Sequence, residues 1–246
     1  MATALPPPRI DLLVYSQSPA AFIAPLSLLL EPSPPLSLLL APQLNSECQR
    51  LQSTSSPLPK TYAELLSIAA TLVESWPIED QAAFMSAHPR IGETKNLSAL
   101  SGAEQSGKGN DTTPGEVLKR LSLLNTLYEE SFPGLRYTTF VNGRSRAEII
   151  PEMEVRGLPW CFSPVEAPFY PSYQDSQADL SIVTQKILGI ELPPPSTQTG
   201  EPRLKAIIEK TQIRVMGSKA WRDELKRGMA DLWSIARARA EGLGVK

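Results

Sequence analysis

A single histidine and two cysteines, Cys48 and Cys161, are all that this 246-residue chain offers in those residue types. So few thiols exclude a disulfide framework, and the pair fits a reducing compartment. With no CxxC and no Cys/His cluster, a histidine- or cysteine-built metal site is excluded as well; a metal held by carboxylates alone stays open but nothing points to one, so no metal is expected. No charge of one sign dominates: 24 Lys and Arg stand against 26 Asp and Glu, a formal net of -2, so no nucleic-acid surface is expected. Basic residues gather between positions 203 and 239, but acidic ones are interleaved, which predicts solvated helix faces. Long apolar runs are missing too. Residues 20–42 are apolar, yet Pro25, Glu31, Pro32, Pro34 and Pro35 interrupt them, so no membrane span is expected. Neither the P-loop signature nor GxGxxG occurs, and no N-terminal targeting segment is convincing.

Proline is abundant, at 24 residues, about twice its average usage. It gathers near the N-terminus, at 32–42 and at 151–202, so the chain reads as helical segments punctuated by loops. Residues 1–9 are a loose lead-in. Residues 10–30 read as one or two short helices, 36–44 as a short apolar turn or helix, and 45–60, rich in Ser, Pro and Gln, as a loop. A helix over 61–75 carries Leu65, Ile68, Ala69 and Leu72 at helical spacing, with Thr61 and Glu64 as a capping box. Pro77 opens the next helix, with Glu79 and Asp80 in its first turn, and Pro89 closes it. The clearest helix spans 114–132, where Val117, Leu118, Leu121, Leu124, Asn125 and Tyr128 mark one face. Residues 137–141 have high β-propensity but no partner strand, so an extended segment is expected. A helix over 145–155, capped by Ser145 with Glu148, follows. Residues 157–202 form an aromatic, proline-rich excursion, and helices over 203–215 and 219–240 close the chain. The fold class is all-α: a single compact helical domain over 10–246, with an insertion at about 157–202.

Chemistry concentrates in AHPRIGETKNLSALSGAEQ, residues 87–105. His88 sits at a helix end beside a bend, where its imidazole can reach a cleft and titrate near neutral pH. Ser101, Glu104 and Gln105 share one face if they are helical. A structural reading competes: Ser101 to Glu104 also has the S-x-x-E pattern of a capping box, and a histidine suits a helix C-terminus.

His88-Pro-Arg-Ile-Gly-Glu93 followed by Leu100-Ser-x-x-Glu-Gln105 resembles the signature of the OHCU decarboxylases, which act on 2-oxo-4-hydroxy-4-carboxy-5-ureidoimidazoline in urate breakdown. The likeness extends to Leu30-Glu31-Pro32-Ser33-Pro34 (FExSP), to Leu124-Asn125-Thr126-Leu127-Tyr128 (LNxxY), to Phe140-Val141-Asn142-Gly143-Arg144-Ser145 (CVRGRS), and to a final helix that ends on Arg239. The resemblance implies an all-helical, cofactor-free and usually dimeric enzyme, a carbon–carbon lyase whose partner is a small-molecule substrate. It implies His88 as the catalytic acid/base and Glu104 as its carboxylate partner. Pro89, Ser101 and Gln105 would line the pocket, backbone groups around Thr138, Thr139, Phe140 and Val141 would bond the substrate ring, and Arg239 would hold an anionic or carbonyl end. Two departures stand at the pocket wall: the family's FGFPF run is Pro133-Gly134-Leu135-Arg136-Tyr137 here, and its apolar pair is Thr138-Thr139. The tail, Gly244-Val245-Lys246, is not the S-K-L address of some relatives, so the expected compartment is cytoplasm or peroxisome. Two alternatives stay open: a related helical enzyme on another ureido or carboxylated heterocycle, and a non-catalytic helical module that binds partners.

Overall fold

Local signals start most of the helices where the sequence places them. In the computed structural model, which describes residues 7–95, 97–106, 113–157 and 214–245, the Thr61 hydroxyl accepts from the Glu64 N–H and caps α4 (Tyr62–Glu74). The Glu64 carboxylate reaches back one residue further than a capping box requires, to the N–H of Lys60 at 2.7 Å. Pro77 precedes α5 (Ile78–Met85) and Pro114 precedes α7 (Gly115–Ser131). Ser145 and Glu148 form the reciprocal pair that opens α8 (Arg146–Gly157).

Before them lie α1 (Ile10–Val14) and α2 (Ala20–Leu30), then a π-helical turn (Leu36–Leu40) that runs straight into α3 (Ala41–Ser53). This last helix corrects the loop expected over 45–60. Its polar composition suggests a loop, but Ala41, Leu44, Asn45 and Cys48 repeat at helical spacing and are buried, while Glu47 and Arg50 pair on the outer face. Composition conceals the helix; periodicity carries it.

The axis of the fold is α9 (Lys219–Gly242), opened by the Ser218 hydroxyl on the Trp221 N–H. It packs against α2, α4 and α5, burying Trp221, Leu225, Leu232, Trp233 and Ala236, while α7 and α8 pair alongside. The solvated face expected for the basic 203–239 stretch is present in α9 at Lys219, Arg222, Asp223 and Lys226, but not all of the helix's charges lie on it. Arg239 is 4% exposed and Glu224 8%, and the Arg227 side chain is largely buried, because this helix is wrapped on several sides. Residues 137–141 belong to no helix or strand, and among the described residues there is no strand, so the fold is all-α. No helix among them is long and apolar enough to cross a membrane. The 158–213 stretch, with most of the expected excursion and nearly all of the expected 203–215 helix, lies outside the described residues.

Candidate active site

Helix α5 ends at Met85, and the His88 N–H still donates to the Met85 carbonyl at 3.2 Å, so the imidazole is carried on a turn that continues the helix. Arg136 Nη1 holds the His88 carbonyl at 2.8 Å. The imidazole is buried, 4% exposed, and neither ring nitrogen has a hydrogen-bond partner among the described residues. Burial lowers its pKa to about 4, the charges of Arg239 and Arg136 push the same way, and Glu31 opposes them. At neutral pH the ring is therefore an uncharged base with a free nitrogen, and such orphaned buried groups are uncommon.

The loop after His88 is pinned from α7. Asn125 Nδ2 donates to the Ile91 carbonyl at 2.9 Å, and Arg90 makes a two-point ion pair with Glu129. Gly92 sits at φ +88°, and a β-carbon there would stand 3.0 Å from the Leu121 β-carbon. Only glycine fits both the dihedral and the space.

Helix α6 (Ala99–Ser106) corrects the capping expectation. The cap is Ser98, whose hydroxyl accepts from the Ser101 N–H at 3.1 Å. Ser101 stands inside the helix, so its buried hydroxyl is available to the site: it donates to Glu31 Oε1 at 2.6 Å and accepts from Arg239 Nη2 at 2.8 Å.

Arg239, in the last turn of α9, spends every donor within the protein. Nε and Nη2 grip the Glu104 carboxylate at 2.7 and 2.8 Å, Nη2 also reaches Ser101, and Nη1 reaches Glu31 at 2.9 Å and the Leu29 carbonyl at 3.2 Å. Two expectations change accordingly. Glu104 is paired with Arg239 rather than with His88, because a guanidinium fork matches a carboxylate in two-point geometry. Arg239 has no donor left to hold a substrate and instead organises the carboxylates and Ser101.

His88, Pro89, Ser101, Glu104, Arg239 and residues 138–141 nonetheless line one cavity of about 440 Å³, a volume suited to a small heterocycle. Gln105 belongs to α6, but its side chain lies outside the described residues. The wall at 138–141 is held from behind. Arg227 Nη1 takes the Thr138 carbonyl at 2.8 Å, and Arg144 takes those of Phe140 and Val141 at 2.8 and 3.0 Å. Arg227 in turn rests on Glu224 and Asp231. No backbone carbonyl among the described residues accepts from the N–H groups of Thr138, Thr139, Phe140 and Val141.

Glu31, Ser98, Arg144 and Arg227 are the residues that sequence reasoning leaves out of the site. Glu31 had a signal: a lone carboxylate between Leu30 and Pro32, inside an otherwise apolar stretch. The other three act on backbone atoms and on side chains distant in sequence or without a motif of their own, which leave no mark in a pattern. Among the described residues no group of three or more His, Cys, Asp or Glu side chains is placed to hold a metal ion.

The sequence profile of the family described as OHCU decarboxylase matches residues 15–157, which takes in Glu31, His88, Ser101, Glu104 and the 138–141 wall. Arg239 lies beyond the match and reaches the site through the fold. No curated protein and no solved structure matches the chain.

Proposed function

The chain belongs to the OHCU decarboxylase family, a family of decarboxylases acting in urate breakdown, and from that premise we propose that it converts 2-oxo-4-hydroxy-4-carboxy-5-ureidoimidazoline to S-allantoin without a cofactor. The observation that carries this reading is the buried, uncharged and unpartnered imidazole of His88, on a cavity that residues 138–141 also line.

The chemistry asks for little more. When CO2 leaves, the electron pair of the broken bond enters the C=N of the substrate ring, so the heterocycle is its own electron sink. An uncharged His88 takes the proton of the hydroxyl on the carbon that lost CO2 and returns a proton to the neighbouring, ureido-bearing carbon. The hydroxyl becomes the ring carbonyl, the ring nitrogen that received the electron pair takes a proton from solvent, and delivery to carbon from one face makes one enantiomer. Backbone donors at 138–141 orient the ring and meet the developing negative charge. Glu104, fixed by Arg239, sets its carboxylate at the cavity wall. The threonine hydroxyls at the wall add no free donors, since Thr138 reaches the Arg136 carbonyl and Thr139 sits between Glu152 and Arg144.

The test generates the labile substrate in place with uricase and hydroxyisourate hydrolase and follows S-allantoin by circular dichroism. Wild type accelerates the reaction above the spontaneous background. His88→Ala loses about 10²–10⁴-fold, the usual contribution of a positioned acid/base. A folded wild type that does not accelerate it refutes the substrate assignment and favours another ureido or carboxylated heterocycle.

A further inference from the structure

Glu31 has features that neither a core nor a surface glutamate calls for. Its backbone lies at φ 64°, ψ 145°, a region rarely occupied by residues with a β-carbon, and Pro32 behind it gives no relief in φ. Strain of this kind persists only where the surroundings over-determine it. Its side chain is 6% exposed. One carboxylate oxygen, Oε1, accepts from Ser98 Oγ at 2.8 Å, Ser101 Oγ at 2.6 Å and Arg239 Nη1 at 2.9 Å. Those donors come from the cap of α6, the body of α6 and the last turn of α9. Glu31, at the end of α2, thus ties together the elements that carry Ser101 and Glu104.

Charge points the same way. Arg239 is one cation shared by two carboxylates, Glu31 and Glu104. The charges acting on the imidazole are Arg239 and Arg136, which disfavour its protonated form, and Glu31, which favours it.

We propose that Glu31 is a positioning residue for the decarboxylation, one that holds Ser101 and the Arg239–Glu104 pair at the cavity and offsets part of the positive charge that Arg239 and Arg136 set beside His88. This rests on the decarboxylase reading. The substrate's carboxylate leaves as neutral CO2, so a carboxylate that partly neutralises Arg239 keeps that cation from favouring the charged ground state over the transition state. Removing the charge then lowers kcat without raising KM, whereas a merely structural residue changes the amount of folded enzyme and not its kinetics.

The experiment compares Glu31→Gln, which keeps shape and loses charge, with Glu31→Asp, which keeps charge and shortens the reach. Circular dichroism and melting establish the folded fraction of each. Expected are a kcat lower by about 10- to 100-fold in Glu31→Gln, the scale of a misplaced catalytic constellation, with KM unchanged or lower, and a smaller loss in Glu31→Asp. Wild-type kinetics in folded Glu31→Gln, a raised KM at constant kcat, or Gln outperforming Asp overturns the proposal. A substrate-free readout accompanies them: His88 is the only imidazole in the chain, so its NMR signal is unambiguous, and its titration midpoint falls in Glu31→Gln. If wild type does not turn over the substrate, the decarboxylase reading fails by itself. An unmoved His88 midpoint still overturns the role of Glu31.

Discussion

Acid should destabilise this protein through one identifiable side chain. His88 titrates at about 4 when folded, against 6.5 for an ordinary histidine, because burial penalises the imidazolium. Between those values the unfolded chain holds a proton at this position that the folded chain does not, so lowering the pH favours unfolding. The stabilising contribution is complete above about pH 6.5 and is lost as pH falls through about 4. At about 1.4 kcal/mol per pKa unit, the full loss comes to about 3 kcal/mol, of which about 2 develops between about pH 7.5 and pH 5. The group is almost fully buried, so solvent screening takes little from that figure. Urea unfolding of wild type and His88→Asn, followed by tryptophan fluorescence at several pH values, isolates it, since every other titrating group is common to both chains. The difference in unfolding free energy should be flat above about pH 7.5, and wild type should lose about 2 kcal/mol relative to the variant by about pH 5. A difference that stays constant, or that grows in favour of wild type with acid, refutes the reasoning. It would mean that His88 meets a carboxylate directly, as in the Glu104 pairing that the Arg239 fork replaces.

Other perturbations follow from single contacts. Asn125→Ala leaves the Ile91 carbonyl without its donor and should cost about 1–3 kcal/mol in urea unfolding, with faster amide exchange across 90–93. Gly92→Ala should lower stability by about 1–3 kcal/mol in thermal melts, because the left-handed φ and the Leu121 contact both oppose a β-carbon. Arg227→Met removes the arginine from its ion pair with the buried Glu224 and should cost about 3–5 kcal/mol, and adding Glu224→Gln should recover part of it; simple additivity in that cycle would disprove the coupling.

Much of the helix map was legible in the sequence because its signals are local. Thr61, Pro77 and Ser145 mark starts within one turn, and the Val117–Tyr128 face can be read by spacing alone. Helix α3 was legible in principle, in Ala41, Leu44 and Cys48, but its polar composition argued for a loop. His88, Ser101 and Glu104 were readable as candidates because they sit in one short stretch with few other titratable choices. Their partners were not. Glu31 and Ser101 are 70 residues apart, and Glu104 and Arg239 are 135 apart, so which carboxylate meets which donor is decided only when α2, α6 and α9 pack. The same packing turned the apparent cap at Ser101 into a site hydroxyl, took Arg239 away from substrate and gave it to two carboxylates, and buried an imidazole that sequence would leave near its ordinary pKa. Residue type and spacing determined what chemistry the chain could bring. Desolvation and donor geometry, which exist only in the folded state, decided how that chemistry is arranged.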